Sequence, residues 1–155
     1  MIKNVILLLM GGVFFFSVEA KADRVCFENK FCYDVDVMQT LDELRQGLMF
    51  VKSMSENRGM LFDFRAYERK GISMWMKNTF IPLDMLFIGC DGELKDIYRN
   101  ARPHSLDSIK SESDFCYVVE VNGGEADKRG LKIRDKVDID FGFMTYIKAF
   151  WNGVY

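Results

Sequence analysis

The chain has 155 residues, enough for one domain with a buried core. Its 21 Lys and Arg residues nearly balance its 23 Asp and Glu residues, so the formal net charge is only −2. Since there is no basic stripe or cluster to neutralise phosphate groups, the composition disfavours a nucleic-acid partner.

The first 22 residues have the pattern of a secretory signal peptide. Lys3 supplies a positive start, residues 5–18 form an apolar run, and Ala20-Lys21-Ala22 is a small-x-small cleavage site. An uncleaved anchor is the alternative, but the apolar run is shorter than the roughly 20 residues that a spanning helix needs. We therefore expect cleavage near Ala22, a periplasmic or extracellular mature chain, and no spanning membrane segment after cleavage.

Export changes the interpretation of the four cysteines, because disulfides form and persist in oxidising compartments. Four cysteines allow three pairings. Cys26 and Cys32 are close in sequence and favour a local bridge, which leaves Cys90 and Cys116 for a second one. The alternative for Cys116, inside an apolar run, is a small buried hydrophobic residue. No Cys-x-x-Cys spacing occurs, so the sequence predicts no metal site, and nothing in it indicates a cofactor.

For the first half of the mature chain, the sequence predicts short strands and one helix. Residues 31–37 alternate between apolar and polar side chains, which predicts a half-buried strand. Thr40 and Glu43 form a capping box, and a short amphipathic helix is predicted over residues 41–50. Gly47 within that helix indicates close packing against a neighbour. Two further strands are predicted over residues 59–64 and 72–77.

The second half adds more strands and a second helix. Strands are predicted over residues 83–90, 94–99, 115–121 and 137–141, and a helix over residues 125–129 with Gly130 as its stop. Residues 100–114 form the longest loop, and long loops in compact domains are often functional. Strands outnumber helices, so we predict an α+β fold with two short helices on a largely antiparallel sheet or small barrel.

Several motifs in a fixed order together resemble the DUF192 family of small domains of unknown function. They are Gly47-Leu48-Met49-Phe50, Gly59-Met60-Leu61-Phe62, Trp75-Met76-Lys77-Asn78-Thr79, Ile81-Pro82-Leu83-Asp84 and Glu120-Val121-Asn122-Gly123-Gly124. The resemblance implies a compact, strand-rich domain, often behind an export signal, and supplies no reaction or catalytic residues. Together with the signal-peptide pattern, it divides the chain into a signal peptide over residues 1–22, a DUF192-like domain over 23–141 and an aromatic extension over 142–155. One departure is Arg134-Asp135, where the family usually has a Gly-Asp pair.

The strongest candidate site is a group of polar residues within or beside core-forming strands. Charged residues in such places form either a buried ion pair or a site, since burying a charge is costly. The group can bind a polar ligand, or shift a carboxyl pKa for acid–base work. The alternative is a buried salt bridge that fixes strand register. Its members are Lys77, Asn78, Asp84, Glu120 and Asn122.

The cysteines suggest how this group comes together. If the strands that hold Cys90 and Cys116 pair antiparallel with those cysteines opposite each other, Asp84 lies near Asn122 and Leu86 near Glu120. Asp84 and Glu120 are then within reach of each other. Two carboxylates would then share one site, with a lysine on the preceding strand to join them.

Three other features are weaker candidates. Trp75 lies between polar residues on one strand face, where an exposed indole can hold a sugar or a flat ligand, and the alternative is a core tryptophan. His104 is the only histidine, and we expect it to be solvated in its loop. In the tail, Phe143, Ile147, Phe150 and Val154 share a helical stripe that could meet a membrane surface or a protein partner, or pack back onto the domain.

The sequence thus predicts an exported, non-enzymatic envelope module that binds a small molecule or glycan around Trp75, Lys77, Asp84 and Glu120, or has an accessory role. One alternative is a hydrolase-like enzyme that uses Asp84 and Glu120 as an acid–base pair. The other is a structural module that docks on a protein partner through its tail.

Overall fold

The computed structural model describes residues 22–28, 30–68, 70–142, 145 and 148. The predicted signal peptide up to residue 21, and all but two residues of the tail after Gly142, lie outside the described residues. The elements, in chain order, are β1 (Arg24–Phe27), β2 (Phe31–Met38), α1 (Leu41–Gln46), β3 (Arg58–Asp63), β4 (Leu83–Ile88), β5 (Leu94–Ala101), β6 (Tyr117–Asn122), α2 (Glu125–Arg129) and β7 (Val137–Asp140).

These strands form one curled sheet in the order β5-β4-β6-β3-β2-β1-β7. The β2–β3 pair is parallel, with α1 in the crossover, and the other neighbours are antiparallel. Backbone hydrogen bonds from Leu94 to Asp135 (3.0 Å) and from Val137 to Gly92 (2.8 Å) connect the ends of the edge strands. The result is a half-barrel, which confirms the predicted α+β fold with a largely antiparallel sheet.

Side chains alternate along each strand and so enter two separate cores, one on each face of the sheet. The valine core lies on the face covered by α2 and contains Val25, Val35, Val37, Val119, Val121 and Val137. The methionine core lies on the opposite face and contains Met60, Met74, Met76 and Met85, together with four phenylalanines. The two faces of the sheet therefore differ in the types of side chain that they bury.

Helix α1 is shorter than predicted: it ends at Gln46, with Gly47 as its C-cap, and does not continue to residue 50. The predicted capping box is present at its start: the Glu43 N–H donates to Thr40 Oγ1 (3.4 Å) and the Thr40 N–H to Glu43 Oε2 (3.0 Å). Gly47 adopts φ 43°, and a Cβ there would lie 2.9 Å from Cζ of Phe62. The close packing expected at this glycine is confirmed.

The strand predicted over residues 72–77 is wrong. Among the described residues, this segment makes only one isolated bridge, in which Met74 and Ile109 exchange two backbone hydrogen bonds (2.8 and 2.9 Å). Its alternation is nevertheless real, since Met74 and Met76 are buried while Trp75 and Lys77 are exposed. An extended segment that packs one face against a core has the alternating pattern of buried and exposed side chains that is typical of a strand, even when it does not pair with a sheet. Strand β1, by contrast, was not predicted.

Two disulfides are present, and they fit the predicted pairs. Cys26 and Cys32 are directly opposite each other on β1 and β2. Cys90, in the turn after β4, is bonded to Cys116, which directly precedes β6. Both bonds hold strand ends together, which restricts the unfolded chain more than the folded one.

Candidate functional site

The predicted register between β4 and β6 is wrong by one residue. Met85, not Leu86, lies opposite Glu120, and Leu83, not Asp84, lies opposite Asn122. A shift of one residue turns every side chain to the other face of a sheet. Asp84 therefore enters the valine core while Glu120 enters the methionine core, so the two carboxylates do not face each other.

The error has a physical cause. Cys90 lies beyond the end of β4 in a turn, so its disulfide joins two residues that are not opposite each other in the strand ladder. The hydrogen bond from the Cys116 N–H to the Ile88 carbonyl (2.8 Å) shows where the pairing begins. A disulfide therefore restricts the register to within a residue or two, which is too coarse to decide which face a side chain occupies.

Asp84 is fully buried, and backbone groups satisfy its carboxylate. Oδ1 accepts the N–H of Asn100 (2.8 Å) and Oδ2 accepts the N–H of Ala126 (2.8 Å). Asn100 lies where the β4–β5 register shifts, and Ala126 lies in the first turn of α2, where N–H groups lack helical partners. A negative charge there also suits the helix dipole. The geometry makes Asp84 an anchor for α2 and β5.

Asn122 is likewise occupied by a structural contact. Its Nδ2 donates to the carbonyl oxygens of Met54 (2.9 Å) and Ser55 (3.3 Å) and so fastens the loop before β3 to the end of β6.

Glu120 has the opposite environment. It is 3% exposed, and among the residues that the structure describes it has neither a hydrogen-bond nor an ion-pair partner. Burial raises the pKa of this carboxyl to about 8. At neutral pH the group is therefore mostly protonated, so it can donate one hydrogen bond and accept another. A buried acid without a partner costs stability, which is a mark of functional sites.

The Glu120 carboxyl lines a small cavity, which we call the Glu120 pocket. Its volume is about 20 Å³, enough for one water-sized group. The end of α1 and the loop after it form one wall, and the segment from Met74 to Thr79 forms another. The lining residues are Leu44, Arg45, Gln46, Gly47, Leu48, Met49, Phe62, Met74, Trp75, Lys77, Thr79 and Glu120.

Trp75 and Lys77 form an aromatic and cationic wall of this pocket. The Lys77 Nζ lies 5.3 Å from the centre of the Trp75 ring, in cation–π geometry. Trp75 is 46% exposed, so the alternative of a core tryptophan is wrong. Asn78 adopts φ 55° in the tight turn that follows, and the buried Thr79 hydroxyl donates to the Lys77 carbonyl (3.4 Å).

A wider apolar groove adjoins the Glu120 pocket and shares with it Leu44, Arg45, Met74 and Trp75. Its volume is about 610 Å³, within the range of small-molecule sites. The remaining lining residues are Leu41, Phe64, Tyr67, Glu68, Gly71, Ile72 and Ser73. The groove can hold the body of a ligand while the Glu120 pocket receives one polar group.

Of the six predicted site residues, the structure thus brings Trp75, Lys77 and Glu120 to one pocket and places Asn78 at its edge. Arg45 and Thr79 also line the pocket but are not among the residues predicted from the sequence. No pattern in the sequence indicates Arg45, because the crossover between β2 and β3 brings the end of α1 to β6 from a distant part of the chain. The local signal that the end of α1 packs against another part of the chain was Gly47, which contacts Phe62.

The remaining candidates contribute nothing to this pocket. His104 is exposed in its loop, with its ring 5.1 Å from that of Phe80. The described ranges contain no group of His, Cys, Asp and Glu that suits a metal ion. Within the same ranges, no helix has the length and apolar character needed to cross a bilayer.

Gly47 offers a test of the pocket wall. We expect Gly47→Ala to lower the free energy of unfolding by about 2 kcal/mol, because φ 43° with ψ −134° favours glycine and the added methyl meets the Phe62 ring. Gly130→Ala is the matched control: Gly130 ends α2 at φ 66° with open space around its Cβ, so only backbone strain is added. Urea unfolding compares the two, and an equal loss for both would exclude the contact with Phe62.

The fold and site define a small α+β half-barrel with a polar pocket beside an apolar groove. The chain belongs to the DUF192 family, whose description is "Uncharacterized ACR" and whose family model matches residues 24–139.

Two solved structures share the fold, each with a TM-score of 0.67. One is a protein from Sinorhizobium meliloti named as a candidate transcription regulator, 36% identical, over 79% of this chain and 96% of its own. The other, from Novosphingobium aromaticivorans, is a protein of unknown function, 26% identical, over 88% of this chain and 92% of its own. No curated protein matches the chain.

Proposed function

We propose that this chain is an exported, non-enzymatic module that binds a small polar molecule or a glycan of the cell envelope. The observation that carries the proposal is the Glu120 carboxyl, which is buried, has no partner in the described part of the chain, and lines a pocket. The two disulfides support an oxidising compartment.

The surroundings of Glu120 favour a neutral ligand with hydroxyl groups. A protonated carboxyl donates to and accepts from hydroxyls, whereas the nearby Lys77 disfavours a cationic ligand. The exposed Trp75 indole offers an apolar face against which a sugar ring can pack. The adjoining groove has room for further sugar units.

The alternatives receive less support. A hydrolase that uses Asp84 with Glu120 needs both carboxylates beside one bond, and these two lie on opposite faces of the sheet. The name of the S. meliloti relative raises transcription regulation, but a net charge of −2 gives no support to binding DNA. Docking through the tail involves residues mostly outside the described ranges.

Binding of saccharides tests the proposal directly. We expect saturation-transfer NMR to detect binding of at least one member of a panel of glucose, N-acetylglucosamine and their β-linked disaccharides. Trp75→Ala should remove the signal, because the indole face is lost, and Glu120→Ala should weaken it at least about tenfold, the cost of losing one or two hydrogen bonds.

Tyr98→Ala is the matched control for this experiment. Tyr98 is 44% exposed, close to the 46% of Trp75, but does not line either cavity. Binding that persists in Trp75→Ala and falls in Tyr98→Ala would place the ligand elsewhere. A panel without any binding would contradict the glycan proposal.

A further inference from the structure

We propose that three adjoining loops beside the Glu120 pocket form a docking surface for anionic membranes. We call this surface, formed by residues 47–52, 77–81 and 102–107, the loop patch. Its loops carry three exposed apolar side chains, Phe50, Phe80 and Leu106, which are 62%, 40% and 71% exposed. None of the three lines the Glu120 pocket or the apolar groove. Exposed apolar groups that collect on one surface mark a place of interaction.

Ring contacts and backbone hydrogen bonds hold the loop patch together. The Phe50 and Phe80 ring centres are 6.3 Å apart, and the Phe80 and His104 centres are 5.1 Å apart. The Phe50 N–H donates to the Asn78 carbonyl (2.8 Å), and the His104 N–H donates to the Thr79 carbonyl (3.1 Å). The three loops therefore present their aromatic side chains as one surface.

The backbone at Phe50 indicates that this side chain is not there for folding. Its φ is 66°, in the left-handed region that bulky residues rarely adopt and that glycine or asparagine tolerates much better. His104 adopts φ 62° in the same surface. Backbone strain at Phe50 costs stability, and its exposed side chain gains little from burial in return. Strained residues of this kind collect at functional sites.

The charges of these loops match a negatively charged membrane surface. Residues 47–52, 77–81 and 102–107 carry three cations and one carboxylate. The cations are Lys52, Arg102 and Lys77, the last of which also lines the Glu120 pocket, and the carboxylate is Asp107. None of the three cations forms an ion pair with any residue that the structure describes. Asp107 accepts a hydrogen bond from the Ser105 hydroxyl (2.7 Å). Anionic lipid headgroups attract such cations while the apolar side chains enter the interface.

The same charges argue against a second copy of this chain as the occupant. A two-fold contact would bring the cations of one copy close to those of the other, with a single carboxylate per copy to offset them. The aromatic side chains also project from loops and do not line the groove into which a protein segment would fit.

Vesicle co-sedimentation tests the proposal. The full chain is expressed with its export signal and purified from the periplasm, then mixed with vesicles of phosphatidylglycerol and phosphatidylcholine or of phosphatidylcholine alone. We expect binding to the anionic vesicles only, with loss at high salt. Lys52→Gln and Arg102→Gln should each weaken binding about fivefold, and Phe50→Asn with Phe80→Ser at least about tenfold.

The same set of variants provides controls for folding and for the specificity of binding. Asparagine suits the left-handed backbone at residue 50, so thermal unfolding should show no loss of stability from Phe50→Asn. Ile133→Ser, at a residue that is 51% exposed and outside the three loops, should leave binding unchanged. Equal binding to both vesicle types, or no binding to either, would overturn the proposal, and the second result would favour a protein partner. Saccharide binding is measured separately, so either proposal can fail alone.

Discussion

Glu120→Gln is expected to stabilise the protein at about pH 8, by about 3–5 kcal/mol. The pKa of this carboxyl rises from an ordinary value of 4.5 to about 8 on folding, because burial disfavours the charged form. Between these two values the unfolded chain releases the proton while the folded chain retains it. Stability of the unmodified protein therefore falls as the pH rises through this window. Glutamine has nearly the same shape and no proton to release, so the variant lacks this loss.

Urea unfolding at about pH 5 and about pH 8, with the disulfides kept oxidised, measures the effect. The two proteins should differ little at the lower pH and most at the higher one. Glu112→Gln, at an exposed residue, serves as the control and should change the free energy of unfolding little. A Glu120→Gln variant that loses stability at the higher pH would show that the carboxylate is ionised and paired in the folded protein.

Asp84→Ala is expected to have a large effect of the opposite sign, a loss of about 4 kcal/mol in the free energy of unfolding. The change removes both acceptors of the Asn100 and Ala126 N–H groups and leaves a void in the valine core. Each buried donor without a partner costs about 1–3 kcal/mol. Chemical denaturation of the oxidised protein measures the loss.

Asp127→Ala is a suitable control for this second experiment. Asp127 also belongs to α2, but it is exposed and pairs with Arg99 at the surface (2.8 Å). Exposed ion pairs contribute little, so we expect a change within about 1 kcal/mol. If Asp84→Ala cost no more than Asp127→Ala, the two backbone hydrogen bonds would not anchor α2, and Asp84 would return as a candidate binding residue.

The two experiments separate two roles that look alike in the sequence. Both carboxylates lie within apolar strands, and burial alone does not distinguish them. Asp84 accepts two backbone hydrogen bonds and is expected to stabilise the fold, whereas Glu120 has no such partner in the described structure and is expected to lower its stability. Residues kept at a cost to stability are the better candidates for function.

Local signals predicted much of the fold. The alternation of residues 31–37 gave the buried face of β2, the capping box gave the start of α1, and Gly130 gave the left-handed end of α2. Arg134, at the departure from the family's Gly-Asp pair, adopts φ 76°, a value that favours glycine. In each of these cases, the sequence pattern and the structural feature that it predicts lie within a few residues of each other.

The errors concern contacts between distant segments. Periodicity shows that Met74 and Met76 face a core, but it does not show whether a sheet partner exists. The register of β4 on β6 depends on a turn that places Cys90 outside the ladder. Since one residue of register decides the face, the candidate site was predicted as a set of residues but not as an arrangement of them.

The different composition of the two cores gives the two faces of the sheet different stiffness. Valine side chains are stiff, so the face that carries Asp84 and α2 should behave as a rigid frame. Methionine side chains rotate about three bonds and are polarisable, so the core on the face that carries Glu120 can repack more easily. The protein therefore combines a rigid side with an adaptable one, and substitutions on the adaptable side can be accommodated without disturbing the rigid frame.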